Sequence, residues 1–285
     1  MQEFPHITKT EWLAKVEKDL KGKPLDSLNW EVEGETFTPF WHIEDRPSNG
    51  NEVTSSRDWK IGVRIPFSSI KESNSLALEA LMGGANFLRF DYPGSIEPKE
   101  QEDLLTGILV DIIDYAFFDL NAGGNRAYSR ENVREYLKVQ AETPWPNPRI
   151  WLTITDDYFN SIAFLRAVRL CLQQINHEHG LPTDCEIGVM IKATDENADY
   201  QKIKNTSQAM AAIIGGADIL IIEPSNGEDD SSFERRVARN VQNVLREEAY
   251  LHRVADPAAG SYYIEALTDT FARKIWAEFQ QLVSK

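Results

Sequence analysis

From Trp59 onward, short apolar runs alternate with longer stretches in which apolar residues recur at helical spacing. The runs predict strands over 59–67, 86–91, 116–120, 149–155, 186–193 and 218–223. The intervening stretches predict helices over 73–82, 98–114, 129–140, 158–177 and 199–214. Sequential helix-then-strand units of this kind predict a parallel sheet covered by helices.

The first 58 residues follow a different pattern. Thr8-Lys9-Thr10-Glu11 has the spacing of a capping box, Trp12, Leu13, Val16 and Leu20 follow at helical intervals, and Gly22 closes the helix. Residues 25–58 then mix Pro, Gly, acidic residues and the aromatics Trp30, Phe37, Phe40 and Trp41 without sustained periodicity. This reads as an extended arm whose apolar groups need a surface to cover, either the chain's own barrel or a partner subunit. The expected division is an amino-terminal helix and arm over 1–58 and a single α/β domain over 59–285.

An internal repeat narrows the fold. Ala77-Leu-Glu-Ala-Leu-Met-Gly83-Gly84-Ala85-Asn86 matches Ala209-Met-Ala-Ala-Ile-Ile-Gly215-Gly216-Ala217-Asp218 in class and spacing. In each copy a helix ends on glycine and small residues bring it close to the next strand. A doubly wound nucleotide-binding sheet would place its glycine-rich loop after a strand instead. Gly123-Gly124 does follow a strand, but Asn121-Ala-Gly-Gly-Asn lacks the third glycine of the dinucleotide fingerprint. The favoured fold is an α/β, TIM-type (β/α) barrel with an amino-terminal arm, incomplete or distorted because six strands are recognisable where a complete barrel has eight.

Composition removes several function classes. The formal charge of -15 would repel a phosphate backbone and argues against nucleic acid as a partner. No stretch approaches the run of about 20 apolar residues that a spanning helix requires. The start, Met1-Gln2-Glu3-Phe4-Pro5-His6, has no signal-peptide pattern, which makes a cytoplasmic setting the expectation. The two cysteines, Cys171 and Cys185, are read as reduced and structural.

In a barrel the candidate chemistry lies at the carboxyl ends of the strands, here Asp91, Asp119, Thr155, Asp156, Lys192, Asp195 and Glu223. Asp91, Asp119, Asp156, Lys192 and Glu223 are the substrate-pocket candidates. Converging carboxylates suit a hard cation or an acid/base pair, whereas isolated ones cap helices and bind loop amides. His177-Glu178-His179-Gly180 falls between a helix and Leu181-Pro182, which puts it on the face opposite the expected site. Arg166, Arg169, Arg235, Arg236 and Arg239 are expected on salt-bridged outer helix faces. No nucleophile elbow or Walker-type loop occurs.

The last third carries the most specific string: Arg236-Val-Ala-Arg239-Asn240, then Val254-Ala-Asp256-Pro257-Ala-Ala-Gly260-Ser261-Tyr262-Tyr263-Ile-Glu265-Ala-Leu267-Thr268. It resembles the end of the substrate-binding barrel of the methylmalonyl-CoA mutase family. Asp19-Leu20-Lys21-Gly22, Ile162-Ala-Phe-Leu-Arg166-Ala-Val-Arg169 and Ala211-Ala212-Ile-Ile-Gly215-Gly216 follow in the family's order, and the similarity is weakest over 91–148.

The resemblance implies a barrel enclosing an acyl-CoA, paired with a cobalamin domain in the active enzyme. The family's Asp-x-His-x-x-Gly cobalamin-ligand motif does not occur in this sequence. Arg46-Pro-Ser-Asn-Gly50 replaces a longer family loop, and Lys204 stands where the family carries an arginine. No catalytic residue is therefore carried over. The resemblance is to a shortened small, non-catalytic subunit, with no cofactor of its own. It implies a partner, either a large catalytic chain carrying adenosylcobalamin or a second copy in a homodimer. The alternative is an independent acyl-CoA-binding or metal-dependent barrel enzyme that uses the strand-end carboxylates.

Overall fold

A computed structural model describes residues 7–45, 58–121, 127–226 and 231–284. The segments 1–6, 46–50 and the Gly123-Gly124 pair, singled out in the sequence, lie outside the described residues. In chain order the elements are α1 (Lys9–Asp19), β1 (Trp30–Val32), β2 (Glu35–Phe37), β3 (Lys60–Pro66), α2 (Ile70–Met82), β4 (Phe87–Tyr92), α3 (Pro98–Leu104) and β5 (Asp114–Asp119). They continue with α4 (Val133–Glu142), β6 (Arg149–Leu152), α5 (Tyr158–Glu178), β7 (Glu186–Ile191), α6 (Ala198–Ile214), β8 (Ile219–Ile222), α7 (Ser232–Glu247) and α8 (Tyr262–Val283).

Six strands form one parallel sheet in the order β5-β4-β3-β8-β7-β6, and the first of them, β3, pairs with the last, β8. Both halves of the chain therefore step across the sheet in the same direction. With right-handed crossovers this puts every connecting helix on one face, whereas a doubly wound sheet reverses direction and uses both. The sheet also curls until its edges meet. Arg149 on β6 reaches Asp114 on β5 at 2.6 Å, and the Phe118 and Trp151 rings of the same two strands lie 5.4 Å apart. Tyr128 adds a parallel bridge to Leu152 outside β6. The fold is an incomplete (β/α) barrel.

The sequence repeat is a structural repeat. α2 and α6 both end on glycine, and Gly84 (φ +95°) and Gly216 (φ +89°) take the left-handed conformation. The Ala85 and Ala217 amides then donate back to the Ala80 and Ala212 carbonyls, which is Schellman closure. Ala77 and Ala209 are fully buried, so both helices approach the sheet closely. One boundary differs from expectation: α3 stops at Leu104 instead of continuing to Asp114. Gly107, at φ +78°, turns the chain, and Asp114 opens β5.

α8 does not cover the sheet but packs outside α4 and α5 as a second layer. α5 is thereby buried on nearly all sides, and this corrects the expected outer position of two arginines. Arg166 is fully buried, with its guanidinium donating to Glu265 at 3.0 Å, to Thr268 at 3.2 Å and to Asp256. Arg169, also buried, donates to the Gly216 and Cys185 carbonyls and to Asp218. Amphipathic spacing predicts one solvent face; α8 covers it at Arg166, whereas Arg169 turns to the segments that open β7 and β8.

The arm divides into two parts. β1 and β2 form an antiparallel hairpin that buries Val32 and Phe37 in the same core as the barrel's helices. Phe37, Trp30 and Trp41 surround the Tyr263 ring at 5.7–5.9 Å. Arg130 joins Glu33 of the hairpin turn to Glu278 of α8 at 2.7 and 3.0 Å. α1, by contrast, has no buried residue.

Arg166→Met is expected to destabilise the fold by about 3–5 kcal/mol, because it strands the Asp256 and Glu265 charges in the interior. Arg236→Met, on an exposed position, should change stability by less than about 0.5 kcal/mol. Urea unfolding of the two variants checks both values.

The Glu278 carboxyl is held below its ordinary value of 4.5 chiefly by the hydrogen bond from Arg130. A carboxylate with a depressed folded pKa contributes stability above its unfolded pKa and loses it as pH falls through the folded value. Glu278→Gln is expected to flatten the loss of stability below about pH 4.5. Unfolding midpoints of the wild type and the variant between pH 7 and pH 3 test this.

Candidate functional site at the barrel mouth

Parallel register assigns one face of each strand to the axis. Gly62, Arg64 and Pro66 of β3 pair with Phe87, Arg89 and Asp91 of β4, these with Asp114, Ala116 and Phe118 of β5, and Lys60 and Gly62 of β3 with Ile219 and Ile221 of β8. Arg149 and Trp151 of β6 align with Glu186 and Gly188 of β7. The alternate residues, such as Ile61, Leu220, Ile187 and Ile150, join the core under the helices.

At the amino-terminal end of the axis, four charges alternate in a ring. Lys60 reaches Asp114 at 2.7 Å and Glu186 at 2.6 Å, and Arg149 pairs with the same two carboxylates. Burial pulls the Lys60 ammonium down, but the two carboxylates outweigh it and hold its pKa above the ordinary value. The middle of the axis is apolar: Phe87, Phe118, Trp151, Met190, Ile219 and Ile221 form their own cluster. The Trp151 ring lies across β7, where a Cβ at position 188 would come 2.6 Å from it.

The mouth is closed by a second ionic group. Arg89 stacks on Phe118 at 3.7 Å from the ring centroid, touches the Met190 sulfur and donates to Asp91 at 2.7 Å. Arg64 binds the other Asp91 oxygen and approaches Glu223 at 3.6 Å. Burial lowers the Arg89 pKa, opposed by Asp91, whose side chain is 2% exposed. Two cations and two anions thus neutralise one another over the apolar layer.

Of the five pocket candidates, the structure brings Asp91 and Glu223 together, with Arg64 between them. Asp119 instead accepts the Gly94 and Asn121 amides at 2.9 and 2.8 Å, which ties the loop after β4 to the loop after β5. Asp156 is largely exposed and pairs with Lys204 at 2.7 Å, while Asp195 lies 3.9 Å from the same ammonium. Lys192 is exposed, and Thr155 accepts the Asp157 amide. Among the described residues no group of three or more His, Cys, Asp and Glu is placed to hold a metal ion.

Arg64 and Arg89 were missed as site residues. Their signal was the period-two sequence Lys60-x-Gly62-x-Arg64 and Phe87-x-Arg89-x-Asp91, which marks one face of each strand as charged. Cys171 and Cys185 are both buried and unpaired, and burial pushes their thiols up to about 12 and about 11. Neither is a nucleophile at neutral pH.

Fold and site together define a small parallel barrel whose axis is filled by its own side chains and whose mouth is sealed by ion pairs. A sequence profile described as methylmalonyl-CoA mutase matches residues 124–285, and the chain belongs to that family. It is 29% identical over 191 residues to the methylmalonyl-CoA mutase small subunit of Streptomyces virginiae, covering 62% of this chain and 31% of the relative. The small subunit of Propionibacterium freudenreichii subsp. shermanii is 34% identical over 140 residues, 46% of this chain and 22% of that one. The methylmalonyl-CoA mutase of Escherichia coli is 33% identical over 150 residues, 48% and 20%. The chain spans less than a third of the length of these relatives. Among solved structures, a Yersinia pestis DHPS is similar at 12% identity and a TM-score of 0.32, over 77% of this chain and 99% of that one, too slight a likeness to carry an argument.

Trp151→Ala is expected to cost about 3–5 kcal/mol, since the ring fills the axis between Phe87, Phe118 and Gly188 and the ion pairs at both ends resist collapse. Chemical denaturation of the variant gives the value directly.

Proposed function

We propose that this chain is a non-catalytic, small-subunit-like partner of an adenosylcobalamin-dependent acyl-CoA mutase chain. The observation that carries this reading is the packed axis. An acyl-CoA threaded through a barrel needs the volume that Phe87, Trp151, Phe118 and Arg89 occupy here. The similarity to small subunits of methylmalonyl-CoA mutases supports the same assignment.

In this reading the cobalamin belongs to the partner, and the described histidines of this chain support that. Of the described histidines, His42 contacts the Ile7 carbonyl, His177 and His179 stand at the end of α5, and His252 contacts the Arg246 carbonyl, all away from the mouth. The cofactor is therefore assigned to the partner, and no chemical step is drawn through this chain. A cytoplasmic setting belongs to the same proposal, in keeping with two unpaired thiols. α1 offers the clasp: Trp12, Leu13 and Val16 remain partly exposed on a helix that its own barrel does not bury.

Affinity isolation of the tagged protein from its native cells, with mass spectrometry and a visible spectrum, tests the reading. Recovery of a larger mutase chain together with cobalamin is the expected result. A colourless chain recovered alone, or carrying CoA, would overturn it in favour of a homodimer or an independent acyl-CoA-binding barrel. Removing residues 1–26 should weaken the association while lowering the unfolding midpoint only slightly, because α1 contacts the arm through Trp12 and Lys9 but has no fully buried residue.

A further inference from the structure

Beside the mouth, sharing Arg64 and Glu223 with its ion pairs, a cavity of about 240 Å³ opens between β3, β8 and α7. Gly62, Arg64 and Pro66, Glu223 and Pro224, and Arg235 and Arg239 line it. Three guanidinium groups and one carboxylate, Glu223, thus face one cavity, and two of the three cations are met by carboxylates. Arg64 is engaged by Asp91 and Glu223, and Arg235 lies 3.7 Å from Glu79.

Arg239 differs from both. It is 8% exposed, and its Nε is buried without a hydrogen-bond partner. Burial lowers its pKa, opposed by the more distant Glu79 and reinforced by Arg235 and Arg236. A desolvated cation with an open donor is costly unless an anion accepts from it. Its position is also built: the guanidinium lies against the backbone of Gly83, where any Cβ would overlap it. Gly83 is the C-cap of α2, so the negative end of that helix steadies the charge and the planar fork is held before a ligand arrives.

We propose that this cavity is an oxyanion site, with Arg239 as the group that binds a phosphate or carboxylate. Planar guanidinium donors match both anions in bidentate geometry. Pro66, Glu223 and Pro224 put one end of the cavity at the carboxyl ends of the first and last barrel strands, and Arg239, stacked on the C-cap of α2, lines its deeper end. The proposal is independent of the partner assignment, because it concerns the isolated chain.

Isothermal titration of the full chain with inorganic phosphate, and separately with malonate, at matched ionic strength in chloride, is the test. Saturable binding of either anion is expected, and the tighter of the two identifies the ligand class. Arg239→Met should weaken it about tenfold or more, while Arg273→Met, on the far side of α8, should leave it unchanged. Gly83→Ala, which displaces the fork without removing the charge, should weaken it as well and serves if Arg239→Met fails to fold. No saturable heat with either anion, or equal affinity in the wild type and both site variants, would overturn the proposal.

Discussion

The architecture depends on satisfying one buried cation. Arg166 sits in the middle of α5 with no solvent access, and a guanidinium so placed costs several kcal/mol unless its donors are met. Asp256, Glu265 and Thr268 meet them, and all three lie about 90 to 100 residues further along the chain. Their placement fixes the turn before α8 and the first two turns of that helix against α5. Gly260 joins the same knot by donating its amide to Glu265. Two of the stretches that carry the family resemblance thus meet physically at this point. The hairpin follows, because Glu35 pairs with Arg273 on α8 and Arg130 ties Glu33 to Glu278.

The barrel interior shows the opposite balance. Its charges are arranged in neutral groups at the two ends, with an apolar layer between them. Paired ions of this kind add little net stability over apolar residues of the same volume, and breaking one partner costs far more than the pair contributes. Their effect is on register. A one-residue slip of β3 would turn Lys60 and Arg64 into the apolar core under the helices and bring Ile61 and Ile65 to the axis. The ion pairs therefore favour this closure over its neighbours, while the hydrophobic layer on the outer face supplies most of the driving force.

Much of this was legible in the sequence. The six strands were recognisable because a parallel strand covered on both faces reads as a short apolar run. The Gly-Gly repeat marked α2 and α6, since Schellman closure leaves a composition signature. The β1–β2 hairpin was not recognised, although Trp30-Glu-Val-Glu33-Gly34-Glu-Thr-Phe37 alternates around a two-residue turn with Glu33 and Gly34 at positive φ. A search for sustained periodicity passes over strands of three residues. The buried arginines of α5 were hidden for another reason: a helix pattern specifies an apolar face, but neither that a later helix will cover Arg166 nor that the loops before β7 and β8 will bind Arg169. At the mouth, Asp91 and Glu223 were visible as strand-end carboxylates, whereas their partnership through Arg64 required the register.

Strand number links these features to what the barrel does. The diameter of a barrel falls with the number of its strands, and at eight the interior is just wide enough for side chains to fill. Here β8 pairs directly with β3, and six strands with one additional bridge form the wall, whose β5–β6 seam is spanned by side chains. The lumen is correspondingly narrow. Gly188 makes room on one side for the single indole of Trp151, which then contacts both Phe87 and Phe118. Enlarging the lumen would require another strand at the seam between the edge strands β5 and β6, or the removal of several of these side chains together. The axis is thus taken up by the chain's own side chains, and the surface it leaves open lies at the mouth and along the outer helices.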